Sequence, residues 1–383
     1  MIQSPADPVR FDGTPVTEPA AVSAEAWGSV HTSNFPGLLQ RLHSSLLVST
    51  LKRASMLVVV RSERETLHAD FVALNRPMGM AVDSKRIVVG GWDRVYEFRN
   101  MPALAARFGS LDAHDAVYLM RNVHVTGAIF IHEIALSGEE YWCVNTSFSC
   151  LCTLDQAHSF VPRWRPPFIT GYAPGDRCHL NGLALQNGRP RFVTAFGESN
   201  IFEGWRADKR NGVVIDVESG ETVARGLFMP HSPRFYRDRL WLCESGKGSL
   251  ATVDLETGKL ETVIRLPGFT RGLDFAGPFA FVGLSQVRAA SNTSVEIEVT
   301  EENPERASGV WVVNIETVKT VAFLRFSGVV EELYAVHLLR DAARPYVSAE
   351  DGVALGTTFA LQEAVMKELE IATPATALIA PRP

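Results

Sequence analysis

Five short stretches carry the residue types able to do chemistry. They are Ile131-His132-Glu133, Cys178-His179-Leu180-Asn181-Gly182, Pro230-His231-Ser232-Pro233, Thr270-Arg271-Gly272 and Val330-Glu331-Glu332. Each stands at the head of an apolar run, and three of the ten histidines fall there in successive runs. Imidazole suits Zn, Fe, Cu and Ni, and a carboxylate completes the set or shifts preference toward Mn. The expected metal ligands are His132, His179 and His231, with Glu331 or Glu133 as fourth ligand or general base. A metal with one open position would polarise an oxygen or lower the pKa of bound water. Arg271 would hold an anionic substrate group, because its planar fork matches carboxylate or phosphate. Asn181 stands with them as a candidate catalytic residue. Two plainer readings stay open: a metal-free catalytic or ligand-binding cluster, and polar groups that merely hydrogen-bond across a wet channel.

The elements that must position these residues are short strands. After Asn181-Gly182 comes an apolar strand, an Asn187-Gly188 turn and a strand from Arg191 to Phe196. Strands at 213–217 and up to Leu227 complete a four-stranded antiparallel meander. The unit recurs, with openers at Gly79, Glu133, Gly182, Pro233, Gly272 and Glu332, spaced by 54, 49, 51, 39 and 60 residues. Four-stranded repeats of roughly 40–50 residues are propeller blades. The sixth opener supplies one strand at the C-terminal end. Residues 45–49, 55–61 and 66–74 supply three strands without an opener. Together they make one blade, which predicts an all-β, six-bladed β-propeller whose ring is closed by N-terminal strands joining a C-terminal strand. First strands of blades line the central channel, so their leading residues converge at one mouth.

The expected organisation is an N-terminal arm over 1–37, the propeller over 38–345, and a C-terminal helix and tail over 346–383. A helical turn is expected at 38–42 and a short amphipathic helix at 361–369. A polar excursion is expected at 288–308, and a helix-prone one at 102–108. Weaker candidates for the mouth are His31, His124, Trp92, Asn145, Phe196, Glu198, Glu244 and Gln286. Trp164 and Trp205, in long loops, would cover one face or pack under those loops.

Bulk properties exclude several classes. The net charge of −6 and pI near 6.0 argue against a general nucleic-acid or anionic-membrane binder. No apolar run approaches the length of a membrane helix. The five scattered cysteines lack a zinc-knuckle spacing and read as reduced thiols of a cytoplasmic protein. There is no G-x-S-x-G, phosphate-binding loop or dinucleotide fingerprint in a strand–helix setting.

The openers His132-Glu133, His179-Leu180-Asn181-Gly182, Pro230-His231-Ser232-Pro233-Arg234 and Thr270-Arg271-Gly272-Leu273 resemble those of a bacterial protein family of unknown function. Its members are often encoded beside, or fused to, tetratricopeptide-repeat or sulfotransferase modules. The architecture is more distantly similar to gluconolactonase and strictosidine-synthase-like propellers. That resemblance implies an axial divalent metal, usually calcium, held by Glu, Asn and Asp. Histidines in those places favour a transition metal instead. The resulting expectation is an enzyme using Zn, Fe, Cu or Mn on a small anionic molecule, by hydrolysis, cyclisation, elimination or isomerisation, with oxygen chemistry if the metal is iron or copper. The rival expectation is a non-catalytic scaffold that docks a peptide or protein partner.

Overall fold

The computed structural model describes residues 27–51, 55–102, 104, 114–286, 307–328, 330–361 and 365. The expected excursions at 288–308 and 102–108, the helix at 361–369 and the first 26 residues lie wholly or largely outside them. The described residues begin with strand β1 (Trp27–His31) and helix α1 (Phe35–Arg41). Pro36 occupies the first helical turn, where a missing N–H costs nothing, and Phe35, Leu38 and Leu39 are buried. The helix starts three residues before the expected turn because this proline already has helical φ.

Strands then follow in six sheets. Blade one joins β2 (Ser44–Leu51), β3 (Met56–Glu63) and β4 (Thr66–Ala73) to β25 (Glu332–Arg340), which takes the inner position. Blade two runs β5 (Met80–Val82), β6 (Arg86–Gly90), β7 (Arg94–Asn100) and β8 (Ala116–Val125). Blade three is β9 (Ile131–Ser137), β10 (Glu140–Asn145), β11 (Cys150–Thr153) and β12 (Val161–Trp164). Blade four is β13 (Leu180–Gln186), β14 (Arg189–Ala195), β15 (Gly212–Asp216) and β16 (Thr222–Leu227). Blade five is β17 (Pro230–Tyr236), β18 (Arg239–Glu244), β19 (Ser249–Val253) and β20 (Leu260–Arg265). Blade six is β21 (Phe269–Ala276), β22 (Phe279–Ser285), β23 (Ser308–Asn314) and β24 (Lys319–Gly328). The expected six-bladed ring, closed by a C-terminal strand beside three N-terminal ones, is the observed fold.

The core shows the same closure. Among the described residues six apolar clusters are present, one between each pair of neighbouring blades. Alternation along β2 sends Leu46 and Val48 into the cluster shared with blade six, and Leu47 into the one shared with blade two. Both faces of the sheet are therefore apolar, which is why β2 is buried along its whole length.

Two edges carry a fifth strand that the repeat pattern does not announce. β1 pairs antiparallel with β24, placing His31 opposite Leu324 on the outer edge of blade six. His31 is thus far from a place over the mouth, and β1 comes from the stretch assigned to the arm. β26 (Pro345–Ser348) pairs parallel with β8 on the outside of blade two. Added strands cover exposed sheet edges. The segment 161–164 is the fourth strand of blade three. The described residues from Glu350 onward belong to a second unit. Its helix α2 (Gly352–Thr357) is capped by the Asp351 carboxylate, which accepts from the Ala354 N–H at 2.9 Å.

Candidate active site at the hub

Strand pairing fixes which side chains meet. In five blades the last paired residue before a bulge at the head of the inner strand is Ile131, Leu180, Pro230, Thr270 or Leu333, allowing one further paired step at His231. The next residue in each is His132, Asn181, His231, Arg271 or Tyr334. In blade two the corresponding stretch is Met78-Gly79. His179 is not in this register. It precedes β13 with a left-handed backbone, φ 49°, and enters from the loop above Asn181. Nor is Glu331: it precedes β25, where its carbonyl accepts from the Gln286 N–H at 2.8 Å. Tyr334 occupies the place the sequence reading gave to the glutamates. That reading took Glu331 because it opens the apolar run, but Glu332 and Leu333 pair with Leu51 and Thr50, which makes Tyr334 the next residue.

Glycines let the inner strands close in. A Cβ at Gly79 would lie 2.7 Å from the Glu133 backbone, and one at Gly182 would lie 2.2 Å from Pro233 Cδ. Hydroxyls at the ends of second strands latch each blade to the next: Ser49 donates to the Met78 carbonyl at 2.6 Å, and Thr146 to the Leu180 carbonyl at 2.6 Å. Ser245 donates likewise to the Thr270 carbonyl, and Ser285 to the Leu333 carbonyl.

The same latches fix histidine tautomers. His132 Nδ1 lies 3.0 Å from the Phe130 carbonyl and 2.9 Å from the Thr146 hydroxyl. A carbonyl only accepts, and the Thr146 proton is spent on Leu180, so Nδ1 carries the proton and Nε2 keeps its lone pair. His231 repeats this with the Met229 carbonyl at 3.0 Å and Ser245 at 2.7 Å. His179 Nδ1 donates to Asp176 Oδ2 at 2.8 Å, and Trp205 Nε1 donates to the same oxygen at 3.1 Å. Three imidazoles therefore present Nε2 as the basic nitrogen.

The rings of His132 and His179 meet edge to face with centroids 4.8 Å apart, and His132 lies 6.0 Å from Tyr334. Phe196 packs against His179, at 4.4 Å, and against His231, at 5.2 Å. The Arg271 guanidinium stacks on Tyr334 at 3.4 Å. Burial, helped by His179 and Arg271, drives the His132 pKa well below 6.5. Burial and then Arg271, His179 and His132 do the same to His231. Both imidazoles are neutral at neutral pH. Arg271 and Asn181 are nearly fully buried, yet Arg271 Nη2 and Asn181 Nδ2 have no hydrogen-bond partner among the described protein atoms.

Glu133 points away from His132, as successive strand residues do. It forms a buried ion pair with Arg234 of blade five, at 2.9 Å and 3.4 Å. Among the described residues no group of three or more His, Cys, Asp or Glu side chains is placed to hold a metal ion. His132 and His179 come together as a pair, and Phe196 packs against both His179 and His231. As they stand, the three do not fit a common ion.

A cavity of about 220 Å³ opens at this end of the hub. His132, His179 and Tyr334 line it, together with Arg76, Trp92 and Phe202. Backbone strain concentrates here. Arg76, Phe130, Asp176, His179 and Glu203 all line the cavity and all have positive φ without being glycine. Elsewhere such residues mostly make tight hairpin turns, as at Arg64-Glu65, Asn187 and Arg237-Asp238. Strained backbone clusters at sites where side chains must be aimed. Sequence reading passed over Asp176, Tyr334, Thr146 and Arg76. Only the first left a usable signal, an acidic residue three positions before His179.

Two solved structures show the extent of the likeness to known folds. A nidogen/laminin complex matches at 11% identity and TM-score 0.48, covering 78% of this chain and 99% of that one. A catalytically inactive virginiamycin B lyase from Staphylococcus aureus with quinupristin matches at 9% identity and TM-score 0.41, with the same coverage. Neither carries anything about function to this chain. Comparison with curated proteins gives no significant match. The family model described as Domain of unknown function (DUF4915) matches residues 33–348, and the chain belongs to that family.

Proposed function

We propose that the hub cavity is the active site of an enzyme that moves a proton on a small anionic molecule. The observation that supports this best is the His179–Asp176 pair at 2.8 Å, with His179 Nε2 left as the basic nitrogen beside a second neutral imidazole. A carboxylate that holds Nδ1–H fixes the tautomer and stabilises the imidazolium formed when Nε2 takes a proton. His179 would act as the general base. His132, kept neutral by burial and Arg271, would accept a hydrogen bond from the substrate. The same Arg271 sets a positive charge beside His132 and His231, which favours an anion there over a cation. Positioned proton transfer accounts for about 10²–10⁴-fold in rate.

The second reading is the transition ion, Zn, Fe, Cu or Mn. Metal-ligating histidines commonly tie their other ring nitrogen to a carboxylate, carbonyl or water, as all three do here. Metal analysis of protein purified without a His-tag separates the two. An ion at one per chain, lost in His179→Ala, would replace the proton-transfer reading.

The direct test incubates the protein with the anion-exchange fraction of a cell extract in D₂O and follows depletion and deuterium uptake by mass spectrometry. An anion consumed by the wild type and spared by His179→Ala and Asp176→Asn is the expected result. Equal consumption by His179→Ala would sink the assignment. Binding of a peptide with no turnover of any anion would favour the scaffold.

A further inference from the structure

We infer that Tyr334 is the catalytic partner of His179: its hydroxyl donates to the carbonyl oxygen of an enolisable substrate while His179 Nε2 takes the proton from the adjacent carbon. This rests on the reading of the hub cavity as a proton-transfer site. It adds a second catalytic residue and a substrate class, an enolisable carbonyl compound.

A base alone does not free a proton from carbon. The electron pair left behind needs a destination, and a neighbouring carbonyl provides one by becoming an enolate whose oxygen gains charge. That oxygen needs a donor fixed in advance. The groups packed around the base cannot supply it. His179 gives its Nδ1–H to Asp176, and His132 gives its own to the Phe130 carbonyl. The Thr146 proton goes to Leu180, and the Trp205 N–H goes to Asp176. Tyr334 has the right chemistry in the right place. It takes the hub position of blade one and lines the same cavity as His179. Both rings neighbour His132, Tyr334 at 6.0 Å and His179 at 4.8 Å.

Ser147 and Trp92 also bring donors to the cavity, but a phenol is a stronger acid than an aliphatic hydroxyl or an indole and bonds an oxyanion more strongly. Tyr334 also has Arg271 on its ring face at 3.4 Å. Arg271 is nearly fully buried, and its Nη2 has no partner among the described protein atoms. A buried cation behind the donor acts most strongly when the group in front turns negative, because low polarity strengthens the attraction. Burial, and then Glu332, hold the Tyr334 pKa above the ordinary phenol value, while Arg271 and Arg76 pull it down. The phenol therefore keeps its proton at neutral pH and serves as donor, not base. In the step the C–H bond breaks and its proton joins His179 Nε2. Its electron pair forms the C=C bond, and the carbonyl π pair moves onto the oxygen that Tyr334 holds. Asp176 stabilises the imidazolium, and return of the proton to carbon closes the cycle with no oxidant or reductant. The cavity, about 220 Å³, suits a compact compound.

The test incubates the full chain in D₂O with small probes and follows loss of C–H signals by proton NMR, against a blank without protein. Pyruvate, 2-oxobutyrate and 3-hydroxypyruvate carry the carbonyl; propionate and lactate lack it. Deuteration of at least one carbonyl probe and of neither control is the expected result. Tyr334→Phe keeps the ring beneath Arg271 and should unfold at the wild-type temperature. It should nevertheless lower kcat for exchange by about 10²–10³-fold with KM little changed. No exchange above the blank with any carbonyl probe, wild-type exchange by Tyr334→Phe, or a larger loss in Ser147→Ala than in Tyr334→Phe would each overturn the assignment. The parent reading is separable. If a carbonyl probe exchanges and needs Tyr334 but not His179, the donor and the substrate class stand and the assignment of the base falls. If His179-dependent turnover is found only on anions without an enolisable carbonyl, the base stands and this inference falls.

Discussion

Glu133 and His132 are neighbours in the chain with opposite duties. Glu133, 4% exposed, is held by Arg234 from two blades away. Removing one partner of a buried pair leaves the other charge uncompensated, which costs about 3–5 kcal/mol. Glu133→Ala should lower stability by about that amount in urea titrations; a loss below about 1 kcal/mol would show that water reaches Arg234 freely. The histidines set the acid limb of stability. His132, His231 and His337 all have folded pKa values below 6.5, driven first by burial, His337 to about 4. Below about pH 6.5 the unfolded chain binds protons that the folded chain does not, so stability is full above that value and falls as pH drops toward the folded values. The urea midpoint should therefore fall between pH 7 and pH 5, before ordinary carboxylates titrate. A flat midpoint over that range would mean these imidazoles are solvated.

At the scale of elements, the inner strands and the turns before them matter most. They approach so closely that side chains cannot intrude at two glycines. Gly182→Ala would drive a methyl into Pro233, 2.2 Å away, and should cost about 1–3 kcal/mol. A matching substitution at Gly188, whose Cβ would meet nothing, is the control; because its φ is 73°, it too costs something, but without disturbing the hub. The expected signature is that Gly182→Ala also changes binding in the cavity while Gly188→Ala does not. Strand 2 hydroxyls add a second element-level device. Thr146 and Ser245 join blades and, by accepting from Nδ1–H, also decide which nitrogen of His132 and His231 is basic.

The whole molecule depends on one late strand. β25 sits inside β2 and faces clusters shared with blades six and two. A chain ending at residue 329 would leave Leu46, Leu47 and Val48 without their inner neighbour. It should lose cooperative unfolding and aggregate, as read by circular dichroism and size-exclusion chromatography. A monomeric, cooperative truncation would show that the ring need not close. The six-blade count, the closure and most strands were legible in the sequence, because apolar alternation and turn residues recur at blade spacing and depend only on local chemistry. That His132, Asn181, His231 and Arg271 stand at the heads of inner strands follows from the same local pattern. What the sequence could not place were contacts set by bulges and loops. The pairing of Glu332 and Leu333 with Leu51 and Thr50 decides that Tyr334, and not Glu331, takes the hub position. A left-handed turn brings His179 in from above, onto Asp176. Arg76 reaches the cavity only because a strained backbone points it there. Such details depend on where two distant strands settle against each other, and local residue patterns carry no record of that distance.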